Sequence, residues 1–358
     1  MKTKFSIILF FILIMMNVES QILIPYSMNG QIGFINERLQ KITEPIYTQL
    51  LEINSTGYAK VRKTDNSVIL INPRGETIAS SVYSGILNDF YLYKQNQIDN
   101  KIVSTTIISL QTGYNFTKPV GIGVGSTTSM TVTIIDGTKP SWSYMDYTGE
   151  LLFPNRRFMR AYQFDETGNA AVVLDENFDP RIINRFGEYT CEAQWNYLYN
   201  KVTDGLCFGT TKSNSGYYTI DGKLNIPIKL LQPVTNETIY FYPEFNSGVL
   251  PVIVNNDTFS VVPTGTTINN SSWCIINKNG RCVSGIIIAD CIEYFSEGFA
   301  RVQKDDKWYY VNTDGTFLTQ HGFNSASDFI NGYARIQIDN RDGILDRNGT
   351  IYWCNELQ

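Results

Sequence analysis

Apolar and polar residues alternate in short runs along most of the chain, and each run ends at a turn signal. Residues 57–61 (GYAKV), 298–302 (GFARV) and 332–336 (GYARI) share a small residue at the third position and an aliphatic residue at the fifth. A period of two is typical of a half-buried β-strand. The pattern therefore predicts short strands rather than helices.

A second signal follows these strands: an apolar run, then Asn or Asp, two further residues, and Gly. The Asn or Asp side chain starts a type I turn, and the Gly takes the left-handed conformation that closes a bulged hairpin loop. Six of the seven intervals between these glycines are 34–38 residues, and the seventh is 58. The clear turn glycines are Gly75, Gly149, Gly187, Gly280, Gly315 and Gly349, with weaker copies at Gly113 and Gly222.

The interval defines a unit of about 35 residues that holds two strands, the hairpin turn and a short third strand. Such a unit cannot bury its own apolar face, so neighbouring units must stack. About nine units fill residues 21–358, with degenerate units at 76–141 and an insertion at 223–272. We expect an all-β tandem array in a β-solenoid-like stack. A propeller-like closure is the alternative, because three strands per unit are few for a four-stranded blade.

Tryptophan recurs at one position of the unit, since Trp142, Trp273 and Trp308 each precede a turn glycine by seven residues. With the Phe-x-x-Gly strand pattern, this spacing resembles the WG-repeat (KWG) family of tandem β-hairpin proteins. The match is best over 273–353, although Tyr309 stands where the family has Gly. The resemblance implies a scaffold for binding or surface display, without a reaction or a ligand set.

The aromatic residues could fill the core or form a binding surface. We predict that the three recurring tryptophans pack between units, since their position alternates in phase with apolar residues. An exposed ladder that stacks on sugar rings or anchors a protein is the alternative. Because they oppose the small alanine positions, the candidates for exposed aromatic residues are Tyr58, Phe299 and Tyr333.

The N-terminus predicts a cleaved signal peptide at residues 1–20. Lys2 and Lys4 precede an uninterrupted apolar run at 7–16, and small residues follow at the two positions that a signal peptidase reads, Val18 and Ser20. The run is short for a membrane span, and no later run is long enough. We therefore expect a mature chain from about Gln21, without a transmembrane segment, that is secreted, periplasmic or at the cell surface.

The charge and the cysteine content narrow the range of possible functions. The net charge is −5, and no run of Lys or Arg supplies the basic footprint that nucleic-acid binding demands. An even number of cysteines in an exported chain favours up to three disulfides, and the absence of a C-x-x-C pair argues against zinc. The disulfide candidates are Cys191, Cys207, Cys274, Cys282, Cys291 and Cys354. Several Asn-x-Ser/Thr sequons, among them those at Asn54, Asn115 and Asn348, make the mature chain a glycoprotein if its source glycosylates exported proteins.

Motifs for catalysis or cofactor binding are weak. The single histidine, His321, is expected in a solvated connection and does not allow a multi-histidine metal site. Residues 121–125 (GIGVG) lack nucleotide-loop spacing, and 339–343 (DNRDG) lack the spacing of an EF-hand. We therefore predict no catalytic residue, cofactor or metal.

The sequence thus predicts an exported, non-catalytic scaffold for an unknown protein or glycan partner. Two alternatives stay open. One is a carbohydrate-binding or glycoside-cleaving protein with two converging carboxylates. The other is a structural surface protein that assembles with itself.

Overall fold

The computed structural model describes residues 22–80, 83–99, 101–136, 139–230, 244–256, 258–262 and 266–357. The predicted signal peptide, residues 1–20, lies outside these ranges, as does part of the 223–272 insertion. Within them the chain forms 32 strands and one 3₁₀ helix, at Cys354–Glu356. The prediction of an all-β chain is confirmed.

The strands form eight sheets, numbered here as blades in chain order. Blade 1 holds β1 (Ile24–Met28), β2 (Gln31–Ile35), β3 (Lys41–Ile53), β4 (Ala59–Lys63), β5 (Val68–Ile71) and β6 (Thr77–Ala79). Blade 2 holds β7 (Ser84–Ile86), β8 (Tyr91–Ile98), β9 (Lys101–Ser109) and β10 (Asn115–Lys118). Blade 3 holds β11 (Gly121–Gly125), β12 (Ser129–Asp136) and β13 (Lys139–Asp146). Blade 4 holds β14 (Arg160–Phe164), β15 (Ala170–Leu174) and β16 (Pro180–Asn184).

The second half of the chain continues the series. Blade 5 holds β17 (Tyr197–Leu198), β18 (Leu206–Thr210), β19 (Ser215–Thr219) and β20 (Leu224–Pro227). Blade 6 holds β21 (Lys229–Leu230), β22 (Val249–Asn255), β23 (Thr258–Val261), β24 (Ser271–Asn277) and β25 (Ile287–Ala289). Blade 7 holds β26 (Cys291–Ile292), β27 (Phe299–Lys304) and β28 (Lys307–Asn312). Blade 8 holds β29 (Ser325–Ala326), β30 (Tyr333–Ile338), β31 (Arg341–Asp346) and β32 (Ile351–Trp353).

Neighbouring strands within a blade are joined as antiparallel hairpins, and among the described strands the one parallel pair is β21 with β23. The long strand β3 pairs with β2 at one end and with β4 at the other, and Tyr47 is the residue where the partner changes. Two sequence units therefore share one six-stranded sheet. This accounts for eight blades where the sequence counts about nine units.

The hairpin turns lie at the repeating glycines. In blade 7 the amide of Gly315 donates to the Asn312 carbonyl at 3.0 Å, and the Asn312 Oδ1 atom accepts from the Asp314 and Thr316 amides, each at 3.1 Å. Gly315 has φ +84°. An L-residue with a side chain is strained in this conformation, which is why glycine recurs there.

The two ends of the described chain meet. Ile24, Tyr26 and Ile35 from blade 1 pack with Ile344 of blade 8 and with Cys354 of the 3₁₀ helix. All five are buried, and each large apolar side chain so placed contributes about 1.5–3 kcal/mol to stability. The molecule is therefore a closed eight-bladed β-propeller.

This closure corrects the first architectural prediction, the β-solenoid-like stack, which is wrong. An open stack would leave its first and last units uncovered, whereas here β1 covers β30 and β31. Unit length does not exclude a propeller, because the first strand of a blade is often only two residues long, as in β17, β26 and β29. A unit of about 35 residues therefore has room for a four-stranded blade.

Candidate functional site

Each blade has one tight inner turn, such as that at 54–58 between β3 and β4 of blade 1, and several of these turns contact the turn of the next blade. The Asn54 amide side chain donates to the Asn88 carbonyl at 3.3 Å, and that of Asn88 donates to the Ser126 carbonyl at 2.8 Å. Between blades 7 and 8, the Glu297 carboxylate accepts from the amides of Asn331 at 2.7 Å and Gly332 at 2.8 Å. The turns thus form a hydrogen-bonded collar at one face.

A polar cavity of about 610 Å³ opens among four consecutive inner turns, from blades 7, 8, 1 and 2. We call it the axial cleft. Its volume suits a small-molecule ligand. Its lining comprises residues 51–55, 86–89, 296–297 and 329–331.

Three carboxylates line the axial cleft, and all three are already engaged. Glu52 accepts from the Lys60 ammonium at 3.0 Å and the Ile86 amide at 2.8 Å. Asp89 accepts from the Ser55 amide at 2.9 Å, and Glu297 binds the two amides of blade 8 described above. These carboxylates order the turns, and their geometry does not present a free acid and base to a ligand.

A different surface lies at the junction of blades 3 and 4. The Arg156 guanidinium lies 4.4 Å from the centre of the Tyr189 ring, and that of Arg185 lies 4.7 Å from the centre of Phe186. Arg157 donates to the Pro154 carbonyl at 2.9 Å. These five residues (Arg156, Arg157, Arg185, Phe186 and Tyr189) are named the arginine–aromatic surface.

Phe153 joins the two segments that carry this surface. The Arg157 side chain donates to the Phe153 carbonyl at 3.4 Å. The Phe153 ring also covers Gly187, where an added Cβ would lie only 2.9 Å from the ring. The segment before blade 4 is thereby held against the last hairpin turn of blade 4.

The guanidinium groups of this surface differ in exposure: Arg185 is exposed, whereas Arg156 and Arg157 are half-buried and Arg157 donates to three backbone carbonyls. In the part of the chain that the structure describes, Arg156, Arg157 and Arg185 have no carboxylate within salt-bridge distance. The neighbouring Arg181 differs, because a 3.0 Å ion pair with Asp175 raises the pKa of its guanidinium. Phe186 is 65% exposed and Tyr189 is 42% exposed. Exposed arginine and aromatic side chains together are typical of protein-binding surfaces.

The aromatic residues singled out in the sequence do not form one exposed ladder. Tyr58, Phe299 and Tyr333 each follow an inner turn, and all three are half-buried. Phe299 stacks on Phe329 with ring centres 4.6 Å apart, and Tyr333 packs in the cluster that closes the ring.

The three recurring tryptophans differ in burial. Trp273 is 1% exposed and its indole N–H donates to the Ala289 carbonyl at 3.1 Å. Trp142 and Trp308 are half-buried and pack on the apolar layers of blades 4 and 8. The Arg301 guanidinium covers the outer side of Trp308 at 5.1 Å.

All six cysteines are free thiols in this structure. Cys207 donates to the Tyr199 carbonyl at 3.2 Å, and burial raises the pKa of its thiol. Cys191, Cys291 and Cys354 lie in separate blades or at their edges. The predicted disulfides are therefore not present, and their pairing stays a prediction.

The remaining motifs have ordinary structural places. His321 is exposed and lies edge-on to Phe323, with ring centres 5.6 Å apart. The glycine run is strand β11, and 339–343 form the hairpin between β30 and β31. Among the described residues, no group of three His, Cys, Asp or Glu side chains could hold a metal ion.

The arginine–aromatic surface was not among the sites predicted from the sequence. Arg156, Arg157, Arg160, Arg181 and Arg185 fall within 30 residues of an otherwise acidic chain, which is a signal that counting arginine along the sequence would reveal. The same 30 residues hold five carboxylates, so a count of net charge does not reveal the cluster.

Eight blades closed into a ring define a β-propeller, and solved structures of that class are similar to this chain. The crystal structure of a eukaryotic initiation factor matches with a TM-score of 0.52 and 10% identity, over 92% of this chain and 94% of that one. The WD40 domain of SCAP from fission yeast matches with a TM-score of 0.41 and 9% identity, over 85% and 95%. BamB from Moraxella catarrhalis matches with 0.35 and 9%, over 93% and 91%. At these identities the likeness concerns the fold alone.

The repeat itself is more specific. The family model of the WG containing repeat matches residues 273–308 and 310–341, so the sequence resemblance is confirmed for two adjacent units. They contain Trp273, Trp308 and the inner turns of blades 7 and 8. No curated protein matches the chain. In the described ranges, no helix has the length and apolar character needed to cross a membrane.

Proposed function

We propose that this propeller is an exported, non-catalytic interaction scaffold whose arginine–aromatic surface binds an acidic segment of a protein partner. The observation that carries the proposal is the grouping, beside two exposed rings, of three guanidiniums that form no ion pair with any described carboxylate. The segment 156–185 carries five arginines and five carboxylates, so the group is distinguished by guanidiniums that form no ion pair among the described residues and not by net charge.

Charge complementarity favours an acidic partner. Guanidinium groups bind carboxylates with charge-assisted hydrogen bonds, often in pairs, and Phe186 and Tyr189 supply apolar contact area beside them. A carboxylate-bearing segment with apolar residues between its acids satisfies both parts. Such a contact gains in rate and specificity from the electrostatic attraction and weakens as salt rises.

A defined peptide tests the proposal. The purified chain is titrated into a fluorescein-labelled synthetic peptide that repeats Glu-Glu-Leu, and binding is followed by fluorescence anisotropy. A peptide that repeats Gln-Gln-Leu is the neutral control. We expect binding of the acidic peptide alone, with affinity that falls as salt is raised.

Variants locate the contact. The triple change Arg156→Gln, Arg157→Gln and Arg185→Gln should raise Kd about tenfold or more, since hydrogen bonds to charged groups contribute about 1.5–3 kcal/mol each. Arg74→Gln is the matched control, because Arg74 lies exposed in the equivalent hairpin turn of blade 1. If the triple variant folds poorly, the Kd of the Arg185→Gln single variant is measured in its place.

Three results would contradict the proposal: equal binding of both peptides, equal loss in the Arg74→Gln control, or binding of an acidic polysaccharide without any binding of the peptide. The export part is tested separately. Full-length chain expressed in a secreting host should appear outside the cytoplasm with an N-terminus near Gln21, and an intact Met1 on the exported protein would refute cleavage.

A further inference from the structure

Cys274 and Cys282 lie on opposite sides of one hairpin turn in blade 6. Cys274 is in β24, and Cys282 forms an isolated antiparallel bridge with Ile276 just after the turn at Gly280. Residues two apart on a strand face the same side, so Cys274, Ile276 and Cys282 share one face. The two cysteines are diagonal neighbours on it, as residues i and j±2 are across an antiparallel pair.

The other four thiols have different surroundings. Cys207 and Cys291 lie near the Tyr199 carbonyl and the Glu293 carboxylate, respectively. Cys191 lies against Gly222, and Cys354 packs in the cluster that closes the ring. Among the six, Cys274 and Cys282 are thus the pair that the fold brings together.

We infer that Cys274 and Cys282 close into a disulfide when the chain meets a disulfide oxidant such as oxidised glutathione. A disulfide needs Cβ atoms about 3.8 Å apart, so Cys282 must approach Cys274. Cys282 lies in the short stretch between the turn at Gly280 and β25, which begins at Ile287. The Val283 amide donates to the Ile275 carbonyl at 2.7 Å and the Ser284 hydroxyl accepts from the Ile275 amide at 2.9 Å, so the approach has to come from the two side chains and a small local shift.

The two sulfurs have different roles in the exchange. Cys282 is exposed and Cys274 is fully buried. The Cys282 thiol loses its proton and attacks one sulfur of oxidised glutathione, whose S–S bond breaks and releases one glutathione thiol. Cys274 then loses its proton and attacks the Cys282 sulfur of the mixed disulfide. The second glutathione leaves as a thiol, so two protein thiols and one small disulfide become one protein disulfide and two small thiols.

The same asymmetry makes the bond reversible. Burial raises the pKa of the Cys274 thiol, so the second step is slow at neutral pH. In the closed state the Cys282 sulfur stays exposed, and an attacking thiol can reach it. The bond would fasten the middle of β24 to the segment that leads into β25 of the same blade.

Alkylation and peptide mapping test this inference. Purified full-length chain is incubated with oxidised glutathione or with dithiothreitol, then denatured in the presence of N-ethylmaleimide and digested with trypsin. Cleavage after Lys278 and after Arg281 separates the two cysteines, so a bond joins two peptides. The Cys282 peptide also contains Cys291, and fragment spectra or a Cys291→Ser variant distinguishes them.

We expect the oxidised sample to lose maleimide labelling at Cys274 and Cys282 together, to contain the cross-linked pair, and to regain both labels after dithiothreitol. The cross-link should persist in Cys291→Ser and vanish in Cys282→Ser, which is exposed and should fold normally. Full labelling of all six cysteines after oxidation would overturn the inference, as would a bond between any other pair. Neither result depends on whether the arginine–aromatic surface binds a peptide.

Discussion

The side-chain amide of Asn331 donates a 2.8 Å hydrogen bond to the carbonyl of Leu23, which lies 308 residues earlier in the chain. The same nitrogen also lies 3.4 Å from the Asn54 carbonyl. One side chain of blade 8 therefore holds both the first strand of blade 1 and its inner turn. This contact, with the apolar cluster around Ile24 and Tyr26, closes the ring.

The closure is testable at that residue. Asn331→Asp keeps the shape of the side chain but removes the amide donor, and it places a carboxylate beside two carbonyl oxygens. We expect a loss of about 2 kcal/mol in the free energy of unfolding, measured by urea titration. Asn256→Asp is the matched control, because Asn256 is exposed and has φ +52° beside +53° at Asn331. Equal losses in both variants would show that the contact does not matter.

Two turn glycines differ in what surrounds them, and alanine substitutions should separate strain from crowding. Gly113 has φ +69° and open space around it, so Gly113→Ala should cost about 1 kcal/mol. At Gly315, with φ +84°, a Cβ would lie 2.5 Å from the Cβ of Ser284. Gly315→Ala should therefore cost about 3 kcal/mol in the same urea assay. The order of the two losses is the check, and a larger loss at Gly113 would contradict it.

The recurring tryptophans should differ in their contribution to stability. Trp273→Phe removes a fully buried indole and leaves the Ala289 carbonyl without its donor, so we expect a loss of about 2–3 kcal/mol. Trp308→Phe acts at a half-buried ring and should cost about 1 kcal/mol. Thermal unfolding followed by far-ultraviolet circular dichroism measures both. Equal losses would argue that the position in the unit, rather than burial, sets the contribution.

Alkaline pH should weaken the closure through Tyr26. Burial, with smaller contributions from Glu44 and Cys354, raises the pKa of Tyr26 from 10.0 to about 12. Below pH 10 the folded and unfolded states both keep the phenol proton. Between pH 10 and 12 only the unfolded state loses it, so the free energy of unfolding falls as pH rises, by about 2 kcal/mol from this group. Urea titrations at several pH values should show a smaller fall for Tyr26→Phe than for the parent chain. Identical slopes would rule out this contribution.

The local parts of the fold could be predicted from the sequence because their signals are local. The Asn-x-x-Gly turns and the alternating runs before them depend on residues only a few positions apart. Ring closure could not be predicted in this way. It depends on contacts such as that between Ser27 and Arg335, which are 308 residues apart, and on two-residue strands such as β29 that are too short for a periodic pattern.

The arginine–aromatic surface could not be predicted from the sequence for a related reason. Arg156 precedes the first strand of blade 4, and Tyr189 follows its last hairpin turn, so their contact crosses a whole unit. The position of either residue relative to its own turn does not predict that the two side chains are in contact. A local excess of arginine is readable in the sequence, whereas the carboxylates that could have neutralised it are placed only by the fold.

The collar of inner turns has a consequence for how the molecule comes apart. In an open row of repeats the terminal units fray first, since each lacks one neighbour. Here every blade has two neighbours, and hydrogen bonds such as that from Asn88 to Ser126 join the inner turns of adjacent blades. Unfolding of any one blade opens the ring and uncovers both neighbouring blades. The eight blades should therefore unfold in one cooperative event. In hydrogen exchange, the core amides of blades 1 and 8 should be as protected as those of blade 4.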